Sequence, residues 1–180
     1  MPKVVRVMTF GRDEILYDVA NIAYVAGDVS PKEDHEKHQL IDIIQDGNVD
    51  RVTRVMTLAF SEVVEILHRF TKVEVGKLGM PGRWELTSGF AGIPLNNDFI
   101  EPDQYHVVMQ VPATYSETTL VVLKNYIHEY VCCSILADWM SITNKEEWET
   151  WVAKREEVKE KLNGYKDAGT KAHIVLHPAW

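Results

Sequence analysis

His35 and His38 stand three residues apart in a stretch of helical pattern, so both imidazoles fall on one helix face, at a spacing from which they could share a metal ion. Asp34 and Glu36 flank them and could assist. No third ligand is identifiable, and the stretch is acidic, so a solvated surface is the simpler account. His128 and Cys132, four apart, form a second pair of the same kind. A polar strip buried between packed helices explains that pair more simply than a metal does.

Nucleophilic catalysis would need a serine or cysteine set beside a base on a positioned turn, and no such local signature is present. Cys132 falls mid-helix among apolar groups, which raises a thiol pKa and makes it unreactive. Gly76, Gly79 and Gly82 are separated by Lys77, Leu78, Met80 and Pro81 and precede no helix start, so they do not form a phosphate-binding loop. Glu146, Glu147, Glu156 and Glu157 read as helix-start and surface charges. No catalytic residue, metal ligand or cofactor is therefore expected, and an active site would have to be assembled from distant residues. Cys132 and Cys133 are the only cysteines. Adjacent helical residues point about 100° apart and do not readily pair, so no disulfide is expected, in keeping with a reducing compartment.

The elements that must position these groups are organised around a predicted helical hairpin, residues 116–164. Its first helix starts at Ser116, whose hydroxyl can cap the first turn while Glu117 faces the positive helix end, and runs to about Ile142. Leu120, Leu123, Ile127, Val131, Ser134 and Ala137 make one stripe, and Val122, Tyr126, Cys133, Leu136 and Met140 a second. A helix apolar on two sides is one buried between neighbours. The strip left over carries Asn125, His128, Glu129 and Cys132. Thr143 and Asn144, with Glu146 and Glu147 three residues on, offer two overlapping capping boxes for the second helix. Its apolar face is Trp148, Trp151, Val152, the Arg155 stem, Val158 and Leu162, and Gly164 is its natural stop. Glu146, Glu149, Lys154, Glu156 and Glu160 form the solvated face.

Before the hairpin, residues 3–10 alternate as a strand or extended arm. A helix over 13–26 is stopped by Gly27. Ser30, Pro31 and Glu33 supply cap, first-turn proline and capping-box glutamate for a second helix that reaches Gln45 and ends at Gly47. Asn48 caps a third, running to Phe70 with Val49, Val52, Met56, Ala59, Val63 and Phe70 at near-heptad spacing. Residues 72–75 and 83–87 then read as a hairpin of strands and 105–111 as a further strand, with residues 3–10 able to join the sheet. The loop 89–103 carries Phe90, Ile93, Leu95, Phe99 and Ile100, too many apolar groups to lie idle, and is expected to be packed or interfacial. The pattern predicts one domain, 1–180: a mainly α (α+β) bundle of about five helices with a small antiparallel β insertion at 72–112 and an extended C-terminal arm, 165–180.

A net charge of −8 and the absence of any run of Lys and Arg argue against general nucleic-acid binding. Lys124, Asn125, His128 and Glu129 interrupt the one stretch that approaches a bilayer span of about 20 apolar residues. The first ten residues show no apolar run with a cleavage site, so a signal peptide is not expected. Trp139, Trp148 and Trp151 flank the hairpin turn and suit a core. Ile174, Val175, Leu176 and Trp180 are different: an irregular segment too apolar to leave in water is expected to dock as an extended arm on a neighbouring subunit or on an adjoining ring, with Trp180 as anchor.

The run LVVLKNYIHEYVCCSILADWMSIT at 120–143, the charged helix to Leu162 and the closing His177, Pro178, Ala179 and Trp180 resemble the C-terminal half of small neck proteins from tailed phages and prophages of gut Bacteroidetes. That resemblance covers about the last third of the chain. It implies a virion head–tail connector or adaptor, assembled in the host bacterial cytoplasm. The subunit would form a homo-oligomeric ring, a dodecamer or similar, contacting the portal and other neck or tail proteins, with no cofactor and no catalysis. The insertion at 72–111 is larger than the plain helical adaptor pattern. The competing readings are a small metal-dependent enzyme or hydrolase using His35, His38 or His128, and a soluble adaptor domain that forms no ring.

Overall fold

A computed structural model describes residues 2–29, 34–71, 85–86 and 103–169. Among these residues the chain is mainly helical, with one small antiparallel sheet. Strand β1 (Lys3–Gly11) leads into α1 (Arg12–Val29). Helix α2 (Asp34–Ile41) tightens into a 3-10 turn (Asp42–Ile44) ahead of α3 (Asp46–Ile66) and the single turn α4 (His68–Thr71). Strands β2 (Glu85–Leu86) and β3 (Gln104–Pro112) precede the hairpin α5 (Glu117–Thr143) and α6 (Lys145–Ala168).

The sheet has the order β1-β3-β2. The N-terminal strand is the full-length partner of β3, from Lys3 opposite Pro112 to Gly11 opposite Gln104, and β2 adds two residues opposite Tyr105 and His106. Of the strand hairpin expected at 72–75 and 83–87, Glu85–Leu86 is seen as strand, and 72–84 lie outside the described residues. Alternation puts Met8 and Phe10 of β1 with Tyr105, Val107, Met109 and Val111 of β3 on the buried face. Tyr105 stacks on Phe60 of α3 with ring centroids 4.4 Å apart, and Phe10, opposite Tyr105 in the register, tilts against the same ring at 5.2 Å. This aromatic trio fastens the sheet to the helices, and the Tyr105 phenol, 3.0 Å from the Thr57 hydroxyl, keeps its polar end satisfied.

Helix α5 is the centre of the bundle and packs against α6, α3, α1 and α2. The first predicted stripe is buried throughout, and of the second Cys133, Leu136 and Met140 are buried while Val122 and Tyr126 are half-buried. The Trp139 indole N–H donates to the Leu40 carbonyl at 3.0 Å and pins α2 to it. By length and composition alone α5 could cross a membrane, so Lys124, Asn125, His128 and Glu129 do not by themselves forbid it. Its packing inside the protein accounts for the same apolarity. Ser116 caps it as predicted, accepting from the Thr119 N–H at 3.3 Å.

Several predicted boundaries move. Helix α1 does not stop at Gly27: that glycine is buried where α1 and α2 touch, and a Cβ there would meet the Ile41 side chain at 2.9 Å. Helix α3 begins two residues before Asn48. Gln45, extended at ψ 153°, turns the chain, while Asn48 donates its side-chain N–H to the Asp42 carbonyl at 2.8 Å. Gly47 thus lies in the first turn of α3 instead of ending α2. The third predicted helix breaks at Leu67, and α4 follows separately.

Neither capping box forms at the hairpin turn. Thr143 is still part of α5 and donates to the Trp139 carbonyl at 3.0 Å, and Asn144 makes no side-chain cap bond. Gly164 does not stop α6, which continues to Ala168. The added turn is held from outside: the Tyr115 hydroxyl donates to the Lys166 carbonyl, the Lys166 ammonium to the Ile66 carbonyl, and Arg69 pairs with Asp167. Residues 165–168 of the expected arm are therefore helix, and residues 170–180 lie outside the described residues.

Nothing lies within 4 Å of a Cβ built on Gly164, whereas one built on Gly169 would overlap the Tyr115 ring. Gly164→Ala should therefore leave stability unchanged or raise it by up to about 1 kcal/mol, the ordinary helical preference for alanine. Gly169→Ala should cost about 1–3 kcal/mol through overpacking. Urea unfolding midpoints of the two variants check this, and equal midpoints would contradict it.

Candidate functional site

The residues with predicted chemistry meet on two sides of α5. On one side the polar strip is a seam between α1 and α6. The His128 imidazole Nε2 lies 2.8 Å from an Asp18 carboxylate oxygen on α1, and the Glu129 carboxylate takes the Lys154 ammonium of α6 at 2.6 Å. Lys154, expected on the solvated face, is drawn inward by this pair, which raises its pKa. The Cys133 thiol lies 3.9 Å from the Glu129 carboxylate and donates weakly to it. Cys132 and Cys133 are buried and make no disulfide. Burial first, and the neighbouring carboxylates second, push the Cys132 thiol far up and the Cys133 thiol up to about 12. A thiol held protonated is a poor nucleophile.

His128 is thus spent on Asp18 rather than joined to Cys132 around an ion. Among the described residues no group of three or more His, Cys, Asp and Glu could hold a metal ion. His38 is exposed, and the side chain of His35 lies outside the described residues. The expected interface residues Phe90, Ile93, Leu95, Phe99, Ile100, Ile174, Val175, Leu176 and Trp180 all lie outside them too.

On the other side, α3, α5 and α6 leave an open groove of about 410 Å³. Each helix lends it one face at helical spacing: Val55, Leu58, Ala59 and Glu62 from α3; Ser134, Ala137, Asp138 and Ser141 from α5; Trp148, Val152 and Arg155 from α6. The hollow exists because α5 presents small side chains where its other faces present Leu, Ile and Val. Leu58 is 61% exposed and Trp148 41%, although both are large and apolar.

The groove's polar groups are engaged. Ser134 donates to the Tyr130 carbonyl at 2.8 Å and Ser141 to the Asp138 carbonyl at 2.6 Å. Asp138 takes a two-pronged bond from Arg51 at 2.8 and 3.0 Å, Arg155 pairs with Glu156 at 3.0 Å, and Glu62 accepts from the Tyr130 phenol at 2.5 Å. Burial and then Glu62 raise the Tyr130 pKa well above its ordinary value, so the phenol stays a donor. What the groove offers an incomer is methyl, methylene and indole surface inside a charged rim. Such a surface suits apolar side chains.

Sequence reasoning placed Trp148 in the core and passed over Leu58. The readable signal was Ser134, Ala137 and Ser141, small residues three and four apart on a helix otherwise bulky, together with Leu58 standing off the stripe of α3. Compared with known protein families, curated proteins and solved structures, the chain finds no match.

The raised thiols make stability depend on pH with a definite sign. In the unfolded chain each releases its proton near the ordinary value of about 8.5, while the folded chain retains it. The stabilisation is therefore complete below about pH 8.5 and falls as pH rises toward 12, at up to about 1.4 kcal/mol per pH unit for each thiol. Urea midpoints should drop from pH 8 to pH 10, less so in Cys133→Ala, and a thiol reagent should label the native chain slowly at pH 8. Rapid native labelling of both cysteines would refute the assignment.

Proposed function

We propose that the chain is a virion structural protein, a subunit of the head–tail connector or adaptor ring that joins portal to tail in the neck of a tailed phage. The observation that carries the structural part is the open apolar groove. A closed ring needs two unlike surfaces on each subunit, one to offer and one to receive. The groove suits the receiving role. Helix α1 carries a second apolar surface on a different side of α5, where Tyr17, Tyr24, Val25 and Val29 are all exposed.

The place in the neck rests on the resemblance of residues 120–143, the helix after them and 177–180. On this reading the partners are further copies of the chain, the portal and other neck or tail proteins. No cofactor, reaction, sequence-specific nucleic acid or membrane is involved, and the chain resides in the virion after assembly in the bacterial cytoplasm.

The mass of the native species tests it. A closed multiple of the 20.6 kDa chain, with a dodecamer as the expected form, supports the ring. A monomer at every concentration and salt would sink it in favour of a soluble adaptor domain using the same groove. Stoichiometric zinc in the purified protein, removed by His35→Ala or His128→Ala, would instead revive a metal-dependent enzyme.

A further inference from the structure

We infer that the groove of α3, α5 and α6 receives residues 170–180 of a second copy of this chain, with the aliphatic run Ile174, Val175 and Leu176 laid against Leu58, Val152 and Trp148. The inference rests on the ring reading and names the contact that would build it.

The groove sets the terms for its occupant. Its serine hydroxyls are spent on backbone carbonyls, while two large apolar side chains, Leu58 and Trp148, stand uncovered at its edge. Its charged lining is two carboxylates, Glu62 and Asp138, against one guanidinium, Arg155. An occupant should therefore be apolar and not acidic.

Residues 170–180 meet both terms. They contain Ile174, Val175, Leu176 and Trp180, with Lys171, His173 and His177 and no Asp or Glu. Of the other stretches outside the described residues, 87–100 carries Asp98 and no Lys, Arg or His, which is the wrong sign for this rim, and 72–84, which mixes Glu74 with Lys72, Lys77 and Arg83, has no continuous aliphatic run.

Reach decides between the same chain and another. The segment leaves α6 at Gly169, which is fixed by its packing on Tyr115. From there back to Val152 the helix rises about 25 Å at 1.5 Å per residue. Leu176, the far end of the run, is seven residues past Gly169, at most about 25 Å of extended chain, whereas Trp148 lies about 31 Å back along α6. The aliphatic run therefore cannot lie along both Val152 and Trp148 of its own groove, but a neighbour's can. Beta-branched residues and Pro178 suit an extended segment, whose alternate side chains enter while the others face out. Each subunit then gives one segment and takes one, a head-to-tail contact of the kind that closes rings.

The test uses the full chain. Leu58 is mostly exposed, so Leu58→Lys should leave the circular dichroism spectrum unchanged while weakening self-association about tenfold or more. In parallel, chains bearing only Leu58→Cys are mixed with chains bearing only Leu176→Cys and oxidised with diamide, the native thiols being buried. A disulfide-linked dimer in the mixture, absent from either chain alone, is the expected result. A multimer that neither loses mass with Leu58→Lys nor cross-links would overturn this inference and leave the ring standing. A doubly substituted chain that closes on itself when dilute would show the segment bound to its own groove, also overturning it. A monomer under every condition would remove the inference and the ring together.

Discussion

The structure depends on covering α5. A helix that is apolar on nearly every side cannot rest on a surface; it has to be surrounded, and α6, α3, α1 and α2 are the elements that surround it. Each large aliphatic side chain it buries is worth about 1.5–3 kcal/mol relative to exposure. The ion pairs around it, Arg51 with Asp138 or Lys154 with Glu129, are partly exposed, and such pairs contribute about 0–1 kcal/mol each. Packing therefore holds the hairpin together and the charges tune its edges. Burial brings obligations as well: the Trp139 indole, the Tyr130 phenol and the Ser134 hydroxyl all go inside, and each finds a partner. Asn144 Oδ1, at the one-residue turn into α6, is buried without one among the described residues. Asn144 is at once the end cap of α5 and the start cap of α6, and its side chain makes no cap bond to the first turn of α6.

The sheet is the second dependency and the less local one. Its main pairing joins residues about a hundred positions apart in the chain, and such a pairing forms only after a large loop has closed. Phe10, Phe60 and Tyr105 make that closure worthwhile, since they stack at the point where β1, β3 and α3 converge.

Helices were legible where a long periodic stripe announced them, and the buried stripes of α5 were read residue by residue. Their ends were not, because the ends are decided by partners elsewhere in the chain. Gly164 carries every local mark of a stop, yet Tyr115, Ile66 and Arg69 hold one more turn beyond it. Asn48 is a sound cap by composition, but its side chain is drawn back to Asp42. Alternation showed β1 as a strand, while nothing local showed it to be the full-length partner of β3. The polar strip of α5 was likewise visible, whereas Asp18 and Lys154, which complete it, come from helices whose approach only the fold defines. The groove was the least legible feature, because a hollow is made by residues that are small rather than by residues that are conspicuous.

That hollow sets the two sides of α5 apart. On the seam side His128 is matched by Asp18 and Glu129 by Lys154, and the hollow of about 340 Å³ left there is lined by the charged groups Glu129, Lys154, Glu157 and Lys161. On the groove side Ala59, Ser134, Ala137 and Ser141 stand where larger aliphatic residues would bring the helices into full contact and cover Leu58 and Trp148. An incompletely filled contact forfeits dispersion energy that one or two added methylene groups would recover, at about 0.8 kcal/mol for each one buried. The polar side chains around it are tied to one another and to the backbone, so an apolar segment could enter without stripping any of them of its bonds.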